Sequence, residues 1–110
     1  MKSSRMSTAI VLLITVVIVA CDGGTRLRGQ IHDPAGKPLE DVRVSLAQGG
    51  RSVAVTTGED GVYEVGMTHS PFTVTLSLTA EKLGYTKFER RFSSADHLRS
   101  LDIIMMPVKN

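Results

Sequence analysis

The chain has 110 residues, a formal net charge of +2 at pH 7, one cysteine and no tryptophan. That length holds one small domain and not two, and Lys2 and Arg5 account for the whole charge excess, leaving eleven bases against eleven acids. A balanced body excludes whole-molecule attraction to nucleic acid or anionic lipid, and a lone cysteine excludes an internal disulfide.

The first five residues carry Lys2 and Arg5 and no acid, and Ala9 to Ala20 contain a single polar residue, Thr15. A basic start followed by an apolar run is the pattern of a secretory signal, and the run is short of the about 20 apolar residues that cross a bilayer comfortably. At its end, Ile18-Val19-Ala20-Cys21 resembles the lipobox of bacterial lipoproteins. The resemblance implies cleavage between Ala20 and Cys21, acylation of Cys21 with palmitate among its chains, and a mature protein anchored to a membrane without spanning it. Asp22 resembles the inner-membrane retention signal of enterobacterial lipoproteins. The implied location is the outer side of the cytoplasmic membrane, or the outer membrane where sorting differs. Residues 1–20 then form a cleavable apolar signal helix, 21–24 a lipidated tether made pliant by Gly23-Gly24, and 25–110 the folded domain.

From Thr25 onward, period-two patterning is broken by turn chemistry about every ten residues, which predicts an all-β sandwich of seven antiparallel strands. The first strand covers Thr25 to His32, with Leu27, Gly29 and Ile31 inward and Arg26, Arg28 and Gln30 outward. Asp33-Pro34-Ala35-Gly36 has the composition of a type I turn. Val42, Val44 and Leu46 alternate with Arg43 and Ser45 in a second strand, and Gly49-Gly50 can turn it into a third over Ser52 to Thr57. Glu59-Asp60-Gly61 makes the next turn, after which Tyr63, Val65 and Met67 share a face. A fifth strand runs from Phe72 to Ala80, its apolar residues alternating with Thr73, Thr75, Ser77 and Thr79. Tyr85 to Phe92 forms a sixth, with Phe88 and Phe92 in the core, and Leu101 to Met106 a seventh.

The segments Gly29-Gln30-Ile31-His32-Asp33, Gly36-Lys37-Pro38-Leu39, Val42-Arg43-Val44, Thr56-Thr57, Asp60-Gly61-Val62-Tyr63 and Gly84-Tyr85 together resemble the carboxypeptidase regulatory-like family. Their order and spacing match from about Arg26 to Pro107, with Val42 standing where alanine is more usual. The resemblance implies a transthyretin-like (Ig-like) sandwich. It carries no activity with it, because such a scaffold hosts enzymes, binding modules and spacers alike.

Side chains with chemical potential read mostly as scaffold. His32 and His97 have no acid three residues later and His69 leads into Ser70-Pro71, so no zinc-peptidase spacing exists and no metal or other cofactor is expected. Ser93, Ser94, Asp96 and His97 include hydrolase residue types, but triad members come from separated segments. Asp33, Glu59 and Asp60 lack the dense Asp-x-Asp pattern of a calcium loop and serve turns instead. Lys82, Lys87, Arg90, Arg91 and Arg99 are interleaved with Glu81, Glu89 and Asp96, as on a solvated face. Ile103-Ile104-Met105-Met106 is apolar on both faces of its strand. Internal cover of Ile104 and Met106 is favoured over an interaction surface for a protein partner.

The expectation is therefore a lipid-anchored, non-catalytic binding or structural module of the cell envelope, with no nucleic-acid partner. Two alternatives stand beside it. A small transthyretin-like hydrolase would need converging His and Arg side chains, and this chain ends Met106-Pro107-Val108-Lys109-Asn110 where the hydroxyisourate hydrolases end Tyr-Arg-Gly-Ser. A carbohydrate or cell-wall binder would need exposed aromatics, and the chain has two Tyr and three Phe, mostly at core positions.

Overall fold

The computed structural model describes residues 23–69 and 72–108; the apolar N-terminal run, Ala20 and Cys21 lie outside the described residues. Seven strands form two sheets: β1 (Gly23–His32), β2 (Arg43–Gln48), β3 (Arg51–Thr56), β4 (Val62–His69), β5 (Thr75–Glu81), β6 (Phe88–Ser93) and β7 (Ile103–Ile104). Sheet order is β4-β1-β7 on one side and β3-β2-β5-β6 on the other. Leu27 and Ile31 of β1, Tyr63, Val65 and Met67 of β4, and Val44, Leu46, Leu76, Leu78 and Ala80 of the second sheet are buried between them. Each such large side chain contributes roughly 1.5–3 kcal/mol by leaving water, and no disulfide supplements this core.

Local chemistry sets the turns. The Asp33 carboxylate accepts from the backbone N–H groups of Ala35 (3.0 Å) and Lys37 (2.9 Å), while the Gly36 N–H donates to the Asp33 carbonyl at 2.9 Å. Gly49 has φ of 60°, as the first residue of a two-residue type II′ hairpin requires, and Gln48 pairs with Arg51 across it. The Asp60 carboxylate accepts from Val62 N–H at 3.0 Å. Gly61, with φ of 73°, lies so close to the Ile31 carbonyl that a Cβ would collide with it.

Several boundaries differ from the sequence expectation for identifiable reasons. β1 starts at Gly23, because Gly23 and Gly24 pair with His69 and Thr68. β5 starts at Thr75 and not at Phe72. The Ser94 hydroxyl and N–H bind the Val74 N–H and carbonyl, each at 2.9 Å, ending the ladder there, and Phe72 is 78% exposed instead of in the core. β6 begins only at Phe88, since Tyr85 and Thr86 pair with the C-terminal segment through Thr86 N–H to the Met106 carbonyl at 2.8 Å. Phe92 is buried and Phe88 partly so.

The antiparallel expectation fails at one pair: β7 runs parallel to β1, with Ile31 opposite Ile103 and His32 opposite Ile104. The chain between β6 and β7 crosses from one sheet to the other through a 3₁₀ turn at Ser94–Asp96 and arrives at the free edge of β1 running in the same direction. Arg28 is bracketed by this segment, its N–H donating to the Arg99 carbonyl (3.1 Å) and its carbonyl accepting from Leu101 (3.0 Å). Beyond β7 the chain returns to the second sheet, where Val108 N–H reaches the Gly84 carbonyl at 2.9 Å. The C-terminal segment thus straps the two sheets together at one end of the sandwich and leaves the seam open at the other.

Candidate functional site

At the end where β1 begins, called proximal below, the open seam forms a groove of about 490 Å³. β1 contributes Arg26 and Arg28 on one wall, while Phe92, Ser94, His97, Leu98 and Arg99 form the other. The alternation of β1 turns Arg26 and Arg28 away from the face that buries Leu27. Parallel pairing of residues 99–101 with β1 then brings Arg99 alongside Arg28 from 71 positions away in sequence. Glu64 approaches Arg26 at 3.7 Å with both side chains exposed, a contact worth little in water. Sequence reasoning missed this convergence: the outward alternation of Arg26 and Arg28 was visible, but Arg99 was grouped with residues near it in the chain.

The four polar residues with hydrolase-like chemistry act within the backbone. Ser93 caps the 3₁₀ turn by accepting from Ala95 N–H at 3.1 Å, and Asp96 accepts from Ser93 N–H at 3.0 Å, a reciprocal capping box. Ser94 holds Val74, and His97 ends the turn in the left-handed conformation with φ of 52°. The histidines do not gather: His32 hydrogen-bonds the Asp33 carbonyl through Nδ1 (2.9 Å), and His69 meets the Thr25 hydroxyl through Nε2 (2.8 Å). Among the described residues, no group of three His, Cys, Asp or Glu side chains is placed to hold a metal ion. Asp33, Glu59 and Asp60 stay in their turns. Of the cations in the last third, Lys82 donates to the Glu40 carbonyl at 2.7 Å and Lys87 lies 3.5 Å from Glu81.

Two buried polar groups hold the opposite, distal end. Thr57 is 3% exposed; its hydroxyl accepts from Val42 N–H at 3.0 Å and donates to the Leu39 carbonyl at 2.7 Å. The Tyr63 hydroxyl donates to the Leu101 carbonyl at 2.5 Å, and burial, with the nearby Asp102 charge, pushes its pKa up to about 12.

Internal cover of Ile104 and Met106 is not found. Ile103 and Met105 are buried, but Ile104 and Met106 are each 55% exposed and Val108 continues the spacing at 50%. Leu83, almost wholly exposed, lies in the turn whose Gly84 carbonyl binds Val108, so an apolar stripe runs along the distal half.

Fold and side-chain placement together define a small two-sheet β-sandwich module whose polar residues are largely spent on its own turns. The profile of the carboxypeptidase regulatory-like domain matches residues 26–105, and the chain belongs to that family. No curated protein matches the sequence significantly. Among solved structures, the chain is similar to 3-chlorocatechol 1,2-dioxygenase from Rhodococcus opacus 1CP, at 13% identity and a TM-score of 0.58, covering 78% of this chain and 60% of that one. It is also similar to chlorocatechol 1,2-dioxygenase from Pseudomonas putida, at 10% identity and a TM-score of 0.58, covering 80% of this chain and 61% of that one. The chain therefore spans less than two thirds of either enzyme, and at such identities the likeness concerns the fold alone.

Proposed function

We propose that this protein is a membrane-anchored lipoprotein of the cell envelope, cleaved between Ala20 and Cys21 and acylated on Cys21. It carries a non-catalytic β-sandwich that binds a protein partner through Ile104 and Met106. The observation that supports the anchor most directly is the Ile18-Val19-Ala20-Cys21 spacing, set at the end of an apolar run and two residues before the first strand. The non-catalytic reading is supported by the engagement of Ser93 and Asp96 in capping bonds and of the Ser94 hydroxyl with the Val74 N–H, which leaves them badly placed as nucleophile or base. The exposed stripe supports the partner, because apolar side chains aligned along a strand gain from cover that a scattered few do not need.

Mass spectrometry of the N-terminal peptide tests the anchor. An acylated Cys21 at the mature N-terminus is expected, and Cys21→Ser protein should leave the membrane on washing with high salt. An unmodified mature N-terminus overturns the proposal. A photo-crosslinker at position 106 should capture one envelope protein, and Ile104→Glu should abolish that capture.

A hydrolase of transthyretin architecture is the second reading, favoured by one observation: His97 shares a groove with Arg26, Arg28 and Arg99. Hydrolysis of cyclic ureides or amides by the purified protein, lost in His97→Ala, would establish it.

A further inference from the structure

The formal charge of residues 21–110 is balanced, but the charges are not evenly placed. Arg26, Arg28, Arg51 and Arg99 all lie toward the proximal end, where Arg51 donates to the Thr68 carbonyl at 2.9 Å and the acids within reach are Glu64 and Asp96. Toward the distal end, Asp33, Glu40, Asp41, Glu59, Asp60 and Glu81 outnumber Lys37, Arg43, Lys82 and Lys87. A neutral total thus conceals a cationic pole and an anionic pole.

The cationic pole coincides with the start of the fold. Gly23 is already paired with His69, and Cys21 lies only two residues before it, a reach of at most about 7 Å. Acyl chains on Cys21 would hold this end of the sandwich within the headgroup layer, which is itself only about 5–8 Å deep on each side of the hydrocarbon. Phe72, 78% exposed, projects from the same end, just ahead of the first rung of β5.

From these three observations we infer that the acylated protein stands on an anionic lipid surface on its proximal end. Arg26 and Arg51 face the headgroup phosphates, Arg28 and Arg99 extend the cationic groove away from them, and Phe72 enters the interface. The acidic turns and the Ile104–Met106 stripe are then held away from the bilayer, where a partner can reach them. The attraction acts through proximity: exposed charges are screened beyond about 8 Å at physiological salt, and the short tether brings Arg51 and Arg26, nearest the start of β1, closest to the phosphates, with Arg28 and Arg99 farther up the strand. This inference rests on the acylation of Cys21 proposed above.

The absence of tryptophan makes the orientation directly readable. Phe72→Trp and Leu83→Trp each introduce a single tryptophan at an exposed site, one at either end, excited selectively beyond the absorption of the two tyrosines, and circular dichroism verifies that both variants fold. The purified acylated protein is reconstituted into phosphatidylglycerol-containing vesicles with brominated acyl chains. Quenching of Phe72→Trp should exceed that of Leu83→Trp by about two-fold or more, as expected for a ring within about 10 Å of the acyl boundary. Adding Arg26→Glu and Arg51→Glu, or replacing the anionic lipid with phosphatidylcholine, should shrink that difference, the tether alone leaving the remainder. Equal quenching at the two ends overturns the orientation, and a difference indifferent to lipid charge overturns the attraction of the arginines to the phosphates, while in either case an acylated intact mass leaves the lipoprotein reading standing. An intact mass without acyl chains overturns both.

Discussion

Replacing Thr57 with valine separates polar satisfaction from packing, since valine keeps the volume of threonine and removes only its hydroxyl. That hydroxyl is buried and bridges Val42 N–H and the Leu39 carbonyl, at 3.0 and 2.7 Å. Two neighbouring backbone links, Asp41 N–H to the Thr57 carbonyl and Thr57 N–H to the Val42 carbonyl, survive the change. The loss therefore concerns one orphaned donor and one orphaned acceptor, at about 1–3 kcal/mol each, or about 2–6 kcal/mol together. Against a small domain's total of about 5 kcal/mol or a little more, that is a large fraction. In urea, with a slope of about 1 kcal/mol per molar, the midpoint should fall by about 2 M or more with the slope unchanged. Thr57→Ser keeps the hydroxyl and gives up one methyl, so it should lose only about 1 kcal/mol. Thr57→Val within about 0.5 kcal/mol of the parent, or Thr57→Ser as damaging as Thr57→Val, would refute the assignment of the distal turn to this bridge.

Two glycine substitutions should part sharply: in Gly29→Ala the new Cβ runs into the Leu101 backbone carbonyl, whereas at Gly36, with φ of 89°, nothing lies within 4 Å. Thermal unfolding should show Gly29→Ala losing about 3 kcal/mol or more and Gly36→Ala about 1 kcal/mol. The Tyr63 pKa, raised from 10.0 to about 12 in the folded protein, makes its contribution complete below pH 10 and progressively lost as pH climbs toward 12. Denaturant midpoints across that window should fall more steeply for the parent than for Tyr63→Phe. Met106→Glu, at a half-exposed site, should change stability by no more than about 0.5 kcal/mol while abolishing capture of the partner by a photo-crosslinker placed at position 104.

Strict alternation made β4 and most of β5 legible, because a one-residue slip would move Tyr63, Val65 and Met67, or Leu76, Leu78 and Ala80, to the wrong face. The Asp33 and Asp60 turns were equally legible, since their hydrogen bonds span at most four residues. What escaped was non-local. Phe72 continues the alternation of its strand and yet lies outside, because Ser94, far along the chain, takes the backbone groups of Val74. Similarly, nothing in Leu101 to Met106 distinguishes a parallel neighbour from an antiparallel one; the crossing between sheets decides it. The same crossing gathers Arg26, Arg28 and Arg99, so the candidate groove was invisible to composition, which registered only a balanced charge.

The pairing of Ile31 with Ile103 joins the first strand to the last. Such a contact closes a loop of most of the domain before it returns any free energy, so assembly is governed by the slow, distant encounter. A nascent chain holding β1 through β6 still lacks the residues that cover the edge of its opening strand. Completion of the domain must wait for residues 103–108, keeping the preceding strands pliable until the closing one has been made.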